Sequence, residues 1–397
     1  MNIRFPDYPS CTNEIIEAVT RQLQSGKWTR LEGAPELESE WEAYLGAGHA
    51  WFLSSGTAAL EAILLGHDIG PGDEIITTPY TWGASVAAIL AIGAVPVFAD
   101  IDFQTGQIDP ESVKGCIGEK TRGILAVHLF GIPSPMRELA EIASEKGLLL
   151  FEDASQAHGA RIGGRKVGTF GDAAAFSCMG LKPLGATEGG LAVFKSAASR
   201  EKAYLYGRHP RGMDPDRVAH LEAKGLLDTL QLGWRPSAIS AAILSARLPR
   251  LDAENRGRRE NARYLRELLE GIPGFGLPGE PPDTDPVYHL LSFIVDPAHS
   301  PHSRDGVLDR LRRAGLPAFP YIPRPVHRMK RLNPAGYEGP RVMWHPWLRH
   351  SGIDYSATSC PRAEMRAARA LEFAWNFTGE DPASMEAIAK TIRESLS

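Results

Sequence analysis

The sequence predicts an α/β fold, with a large, mainly parallel-sheet domain followed by a smaller C-terminal α+β domain. Three observations predict it. From about residue 50 to 200, short apolar runs alternate with longer helical ones, the pattern of strands joined by crossover helices. A long, charged helical stretch from Ala238 to Leu269 then reads as a connecting helix. Beyond it, a loop rich in Pro and Gly (PGFGLPGEPPDTDP) leads into a second, shorter pattern of strand and helix. The expected division is 1–250 for the large domain and 251–397 for the small one, with packing of the N-terminal segment on the small domain left open.

In chain order, Asp73–Thr77 (DEIIT), Ala94–Ala99 (AVPVFA), Gly123–His128 (GILAVH) and Leu148–Glu152 (LLLFE) read as buried strands. Between them, Pro135–Lys146 (PMRELAEIASEK) reads as a helix. In the C-terminal part, Tyr288–Asp296 reads as a strand, Ser303–Ala314 as a helix, and Pro382 to about Leu396 as a closing helix. In sheets of this kind the ligand lies beyond the carboxyl ends of the strands. Polar residues that directly follow an apolar run are therefore the first candidates for chemistry.

Composition narrows the classes. A length of 397 residues suits one large domain with a smaller companion. A formal net charge of -5 gives no basic field for phosphate backbones, so nucleic acid is not an expected partner. The N-terminus has no basic segment followed by an apolar run, and the most apolar stretch, Ala84–Pro96, is too short for a membrane span. A cytoplasmic protein without membrane association is expected. Cys11, Cys116, Cys178 and Cys360 are too widely separated to mark a zinc site or a disulfide framework. No metal site is expected, and Cys178 reads as a buried structural thiol.

Three local features could carry chemistry. Ser54-Ser55-Gly56-Thr57 lies between AWFL and AALEAILLGH; small residues opening a helix gather free N–H groups and the positive dipole end, a ready phosphate site. The alternative is a simple N-cap. Asp153 and Gln156 follow the apolar run LLLF. A carboxylate there could pair with a protonated ring nitrogen, or could cap a helix. Lys182 stands in a glycine-flanked apolar stretch after Ser177. Desolvation would lower its pKa and free its amine to attack a carbonyl, unless its head reaches water across the loop.

Taken together, SGTAAL from Ser55, GDEII from Gly72, PYTWGAS from Pro79, VHLFG from Val127, EDASQAHGA from Glu152 and SCMGLKPLGATEGG from Ser177 resemble the DegT/DnrJ/EryC1/StrS aminotransferases. The resemblance spans nearly the whole chain and weakens after about residue 270. It implies the aspartate-aminotransferase fold (fold type I) and pyridoxal 5′-phosphate (PLP) as cofactor. Lys182 would carry the cofactor as a Schiff base and afterwards shuttle a proton. Asp153 would pair with the pyridine nitrogen, Gln156 would lie beside the phenolic oxygen, and Trp82 would stack on the ring. Gly56, Thr57 and Ser177 would hold the phosphate. His158 is a weaker candidate for the substrate side, and His128 reads as a core histidine.

Two departures stand out. Where the family usually has GYNYRM, whose asparagine reaches the partner's cofactor phosphate, this chain has Leu232-Gly233-Trp234-Arg235-Pro236-Ser237. Arg235 or Trp234 is expected to take over that contact. Thr187 replaces a glycine before Glu188.

The implied activity is amino transfer from an amino acid donor, glutamate or glutamine, to a keto-sugar or ketocyclitol, since dehydrating relatives carry histidine at the lysine position. Tyr321, Arg324, His327 and Trp344 belong to an aromatic and basic cluster that would suit such a ring. The resemblance also implies a homodimer with a shared active site. Two rivals remain: a PLP enzyme catalysing elimination, cyclisation or oxidation on a non-sugar substrate, and a catalytically silent regulatory relative.

Overall fold

The structure is a computed structural model that describes residues 5–6, 10–28, 34–208, 213, 215–226 and 230–396. The apolar runs form strands where both faces are covered. β1 (His49–Leu53), β2 (Glu74–Thr77), β3 (Val95–Phe98), β4 (Thr121–Val127) and β5 (Leu149–Asp153) come first. A short hairpin of β6 (Arg161–Ile162) and β7 (Arg165–Lys166) follows, then β8 (Ala173–Ser177) and β9 (Gly190–Phe194). Seven strands form one sheet in the order β1-β9-β8-β5-β4-β2-β3. β8, β5, β4, β2 and β3 are parallel neighbours, and β9 runs against both β8 and β1.

Alternation along the strands feeds two cores. Ile76, Ile124 and Leu150 pack with Leu139 and Ile142 of the helix Met136–Lys146, whereas Ile75, Leu125 and Phe151 pack with Leu60, Ile63 and Ile89 on the other face. Burial on both sides is why these strands read as continuous apolar runs. The Ala238–Leu269 stretch is not one helix. It divides into helices Ala238–Arg247 and Leu251–Leu268 around a 3-10 turn, Leu248–Arg250, because Pro249 lacks the N–H that a continuous helix needs there.

A three-stranded antiparallel sheet, β10 (Phe275–Gly276), β12 (Leu290–Val295) and β13 (Ala370–Ala374), carries the second core, while β11 (Thr284–Asp285) pairs with β6. Leu265, Phe293, Phe373, Trp375 and Ile388 fill that core together with Val307 of the helix Arg304–Arg313. Phe5, in the N-terminal segment, sets its ring edge-on to Phe373 and Phe377. A further cluster joins Tyr80, Phe98 and Phe130 to Leu290, Ile322 and Tyr355, and the Tyr355 hydroxyl donates to the Pro96 carbonyl at 2.7 Å. Among the described residues, no helix is long and apolar enough to cross a membrane.

Candidate active site

Four strand ends meet at one cavity of about 470 Å³, a size suited to a cofactor or small ligand. Leu53 at the end of β1 and Ser177 at the end of β8 both pair with Gly190, while Val127 at the end of β4 pairs with Asp153. The register thus delivers Ser55, Gly56, Thr57, Asp153, Gln156, Ser177 and Lys182 to the same cavity, and Trp82 and Tyr321 complete its wall.

At one end, Ser55 caps the helix Gly56–Leu65, its side chain accepting the Ala58 N–H at 3.1 Å. The N–H groups of Gly56 and Thr57 belong to the first helical turn, which has no intrahelical acceptors. The cap leaves these two N–H groups without an intrahelical acceptor, so the capping reading does not exclude the anion-site one. Two glycines allow the close approach. A Cβ on Gly56 would lie 2.6 Å from Ser177 Cβ, and one on Gly190 would lie 2.1 Å from the Ser55 carbonyl oxygen.

At the other end, Asp153 is buried and fixed at both oxygens. Its Oδ2 accepts from Ser85 Oγ at 2.7 Å and its Oδ1 from the Ser155 N–H at 3.1 Å. Ser85 is in turn hydrogen-bonded to Thr81 Oγ1 at 3.0 Å. The neighbouring Glu152 points to the opposite face of β5. It accepts N–H bonds from Gly168, Phe170 and Gly171 at 2.6–2.8 Å, and one from His128 Nε2 at 3.1 Å. His128 Nδ1 accepts the Ser134 N–H at 2.9 Å, which fixes the tautomer. This is the satisfied core histidine expected from the sequence, although its ring also contributes to the cavity lining.

Lys182 is only 9% exposed. Burial pushes its pKa down to about 8, against the upward pull of the Asp153 charge. Its loop is clasped by backbone bonds from Lys182 N to Met179 O and from Ala186 N to Cys178 O, both 2.8 Å. Arg247 donates to the carbonyls of Gly185 and Pro183. Thr187 bonds Ser240 Oγ at 2.7 Å through its hydroxyl, so the residue that departs from the family pattern anchors the loop to the helix Ala238–Arg247. Cys178 is fully buried and burial pushes its thiol well up, consistent with an inert structural role.

The remaining candidates divide. Gln156 spans the cavity: Oε1 accepts the Phe130 N–H at 2.7 Å, and Nε2 donates to the Tyr321 hydroxyl at 3.0 Å. Trp82 is 59% exposed and stacks on Tyr321 with centroids 5.5 Å apart. His158 does not line the cavity. It is buried between Trp41 and Phe176, and burial, then the Lys182 charge, push its pKa down to about 3. It is a neutral core residue rather than a substrate contact.

His327 is likewise outside the lining, with Nε2 at 3.1 Å from Glu364 and its ring against Phe98. Trp344 donates to the Arg331 carbonyl and lies under the Arg331 guanidinium, and Arg324 is exposed on the surface. Neither Trp344 nor Arg324 borders the cavity. Trp234 packs edge-on to Trp51 and donates to Glu61 Oε2 at 3.1 Å, so its side chain is committed within its own subunit. Arg235 is exposed and lies apart from the cavity lining.

Five lining residues lie outside the motifs and the aromatic cluster read from the sequence: His289, Leu290, Phe319, Ala374 and Asn376. Burial and the Lys182 charge hold the His289 ring well below its usual pKa. No metal-binding cluster of His, Cys, Asp or Glu occurs among the described residues. The arrangement has hydroxyl and N–H donors at one end, a rigid carboxylate at the other, and a buried amine between them. It suits a flat, anionic molecule that carries a carbonyl.

The family model for DegT/DnrJ/EryC1/StrS aminotransferases matches residues 9–342. The dTDP-3-amino-3,4,6-trideoxy-alpha-D-glucose transaminase of Streptomyces venezuelae is 36% identical over 373 residues, covering 92% of this chain and 87% of the relative. The L-glutamine:2-deoxy-scyllo-inosose aminotransferase of Streptomyces kanamyceticus is 34% identical over 348 residues, covering 78% and 81%. The crystal structure of 3-amino-5-hydroxybenzoic acid synthase superposes with a TM-score of 0.83 at 28% identity, covering 100% of this chain and 99% of that one.

Proposed function

The chain belongs to the DegT/DnrJ/EryC1/StrS aminotransferase family, and on that premise we propose that it moves an amino group from glutamate or glutamine to a keto-sugar or ketocyclitol. The observation that carries the proposal is the buried amine of Lys182 set between a rigid carboxylate and a helix start. PLP is the cofactor, and it supplies the carbonyl that takes up the amino group and a ring that accepts electrons. The residues fit it, because the missing side chains of Gly56 and Gly190 let the helix start lie directly against Ser177, which gathers their N–H and hydroxyl donors in one cradle.

In this reading the N–H groups of Gly56 and Thr57 and the Ser177 hydroxyl bind the phosphate. Asp153 holds a proton on the pyridine nitrogen, its orientation fixed by Ser85 and Ser155. Gln156 orients the phenolic side, and Trp82 covers the ring. Lys182 Nζ, with a pKa near 8, exists in both protonation states near neutral pH. It can take a proton from the donor's Cα and later return one. Trp82, Phe319 and Tyr321 offer aromatic faces to a sugar or cyclitol ring, with Tyr321 the one member of the sequence-predicted substrate cluster in this role.

A homodimer that shares its active site, located in the cytoplasm, belongs to the same proposal. Exposed Leu181 beside Lys182 and exposed Leu230 and Leu232 support an interface there, and Arg235 is the side chain left to reach the partner's cofactor phosphate. Elimination, cyclisation or oxidation on a non-sugar substrate is the second reading; the likeness to a structure whose named product, 3-amino-5-hydroxybenzoic acid, is not a sugar supports its substrate class.

The purified holoenzyme is expected to be yellow and to lose its visible band when L-glutamine or L-glutamate is added. When a keto-sugar or ketocyclitol is then supplied as acceptor, mass spectrometry should find its carbonyl replaced by an amine with no further water eliminated. A spectrum unmoved by any amino acid would overturn the transaminase reading, and water-loss products would favour the second. Sedimentation tests the dimer.

A further inference from the structure

Behind the aromatic wall lies a carboxylate that the proposed reaction does not use. Glu372 stands in the middle of β13 with none of its surface exposed. Its neighbours Leu371 and Phe373 pack into the core of the small sheet. Glu372 therefore points to the other face, the one on which Ala374 borders the cavity. A carboxylate in such a place is costly unless it is hydrogen-bonded, so its partners show what it does.

Those partners belong to the wall. Phe319 and Glu372 exchange both backbone hydrogen bonds, at 3.0 and 2.8 Å, as an isolated bridge. The ladder goes no further, and the next inward N–H, that of Tyr321, donates instead to Glu372 Oε2 at 2.7 Å. Oε1 accepts from Ser292 Oγ at 3.0 Å across the β12–β13 pairing. Tyr321 is thus pinned twice, by Glu372 at its backbone and by Gln156 at its hydroxyl.

The geometry points to Glu372 as a positioning residue for the reaction: it holds Tyr321, and with it the substrate wall, by a bond that protonation of the carboxylate loosens. The inference rests on the cavity being the substrate site. An ionised carboxylate accepts from both donors in charge-assisted bonds, whereas a protonated one holds the Tyr321 N–H only through a neutral oxygen, a bond about half as strong, while its O–H turns to the Ser292 hydroxyl.

Burial drives the Glu372 pKa up, opposed by the Tyr321 N–H, the Ser292 hydroxyl and the charges of Arg366 and Arg304, and leaves it at about 7. The charged and titratable groups that face it are Arg366 from the helix Pro361–Arg369, Arg304 from the helix Arg304–Arg313, Tyr80 from the loop after β2, and Tyr321 itself.

The test uses the holoenzyme and two readouts across the neutral pH range. Near-ultraviolet circular dichroism follows the Trp82–Tyr321 stack, assigned by its loss in W82F, and needs no substrate. Bleaching of the cofactor band at varied L-glutamine, followed as a single half-reaction, gives a half-saturation constant and a limiting rate, which stand for KM and kcat. The dichroism of the unmutated protein should titrate with a midpoint near 7, the value to which burial raises the Glu372 carboxyl, and its KM should rise about fivefold on the acid side, the weight of roughly one hydrogen bond. E372Q, which cannot ionise, should show a flat dichroism profile and a pH-independent, raised KM with kcat little changed. S292A keeps the carboxylate but removes one donor, so its midpoint should move upward; it serves in place of E372Q if that variant does not fold.

An E372Q titration like that of the unmutated protein, or an unmoved S292A midpoint, would overturn the inference. A dichroism signal that titrates while neither L-glutamine, L-glutamate nor any other amino acid bleaches the band would retain the positioning role and reject the transaminase reading.

Discussion

Replacing Gly56 with alanine tests the cradle directly. The added Cβ would lie 2.6 Å from Ser177 Cβ, 2.9 Å from its Cα and 3.1 Å from its Oγ. Ordinary carbon contacts are about 3.5–4.0 Å, so the two elements must separate by roughly 1 Å. β8 cannot yield easily, because Ser177 pairs with Gly190 on one side and Ala175 with Asp153 on the other. The helix start, with the Gly56 and Thr57 N–H groups, must withdraw instead. Overpacking costs about 1–3 kcal/mol, offset in part by alanine's better helix propensity, worth up to about 1 kcal/mol. Stability should therefore fall only modestly. A phosphate loses more, since a hydrogen bond to a charged group contributes about 1.5–3 kcal/mol, which is roughly 10- to 100-fold in Kd. Titration with pyridoxamine 5′-phosphate, which forms no link to Lys182, measures this loss free of covalent binding. Unchanged affinity in G56A would refute the cradle.

The remaining predictions concern charge. Because burial holds Lys182 at about 8, PLP capture by the apoprotein should accelerate with an inflection near that pH; an inflection at an ordinary lysine pKa would contradict the desolvation argument. His158 has a folded pKa of about 3 against an ordinary 6.5, so the folded chain binds fewer protons and loses stability as pH falls below 6.5. That loss is about 2 kcal/mol by pH 5, so H158L should flatten the acid limb of Tm against pH, and an unaltered limb would count against a buried neutral imidazole. R235A should weaken pyridoxamine 5′-phosphate binding about tenfold, and G233N should restore it in the double variant if the two positions serve one contact. No loss in R235A would remove that residue from the interface.

The parts of the fold that can be read from the chain are those where one stretch carries its own explanation. β2 to β5 are buried on both faces over most of their length, so their central residues are mainly apolar, and Asp153 ends such a run while Ser55 follows that of β1. β8 carries no such signal. Ala173-Ala174-Ala175 has little strand preference, and becomes a strand through its pairing with β5 and β9. The helix break at Leu248–Arg250 follows from Pro249, a local cause that the strong helical character on either side conceals.

The same division runs through the site. Lys182, Asp153, Ser177 and the Ser55–Thr57 turn lie within single motifs at strand ends, and the sheet register brings them together. His289, Phe319 and Asn376 enter from just before β12, from the segment between β12 and β13, and from just after β13, more than one hundred residues beyond Lys182. Only the docking of the small sheet makes them neighbours of that lysine. His158 and His327 fail in the opposite sense: proximity in sequence to a motif, or to an aromatic cluster, says nothing of which way a side chain turns. Gly233 shows how far structure can refine such a reading. A Cβ there meets nothing within 4 Å, so neither packing nor backbone conformation within the subunit demands glycine. The missing asparagine is therefore not excluded by the fold. With Trp234 held against Trp51 and Glu61, the cross-subunit phosphate contact of the proposed dimer falls to Arg235 or to nothing.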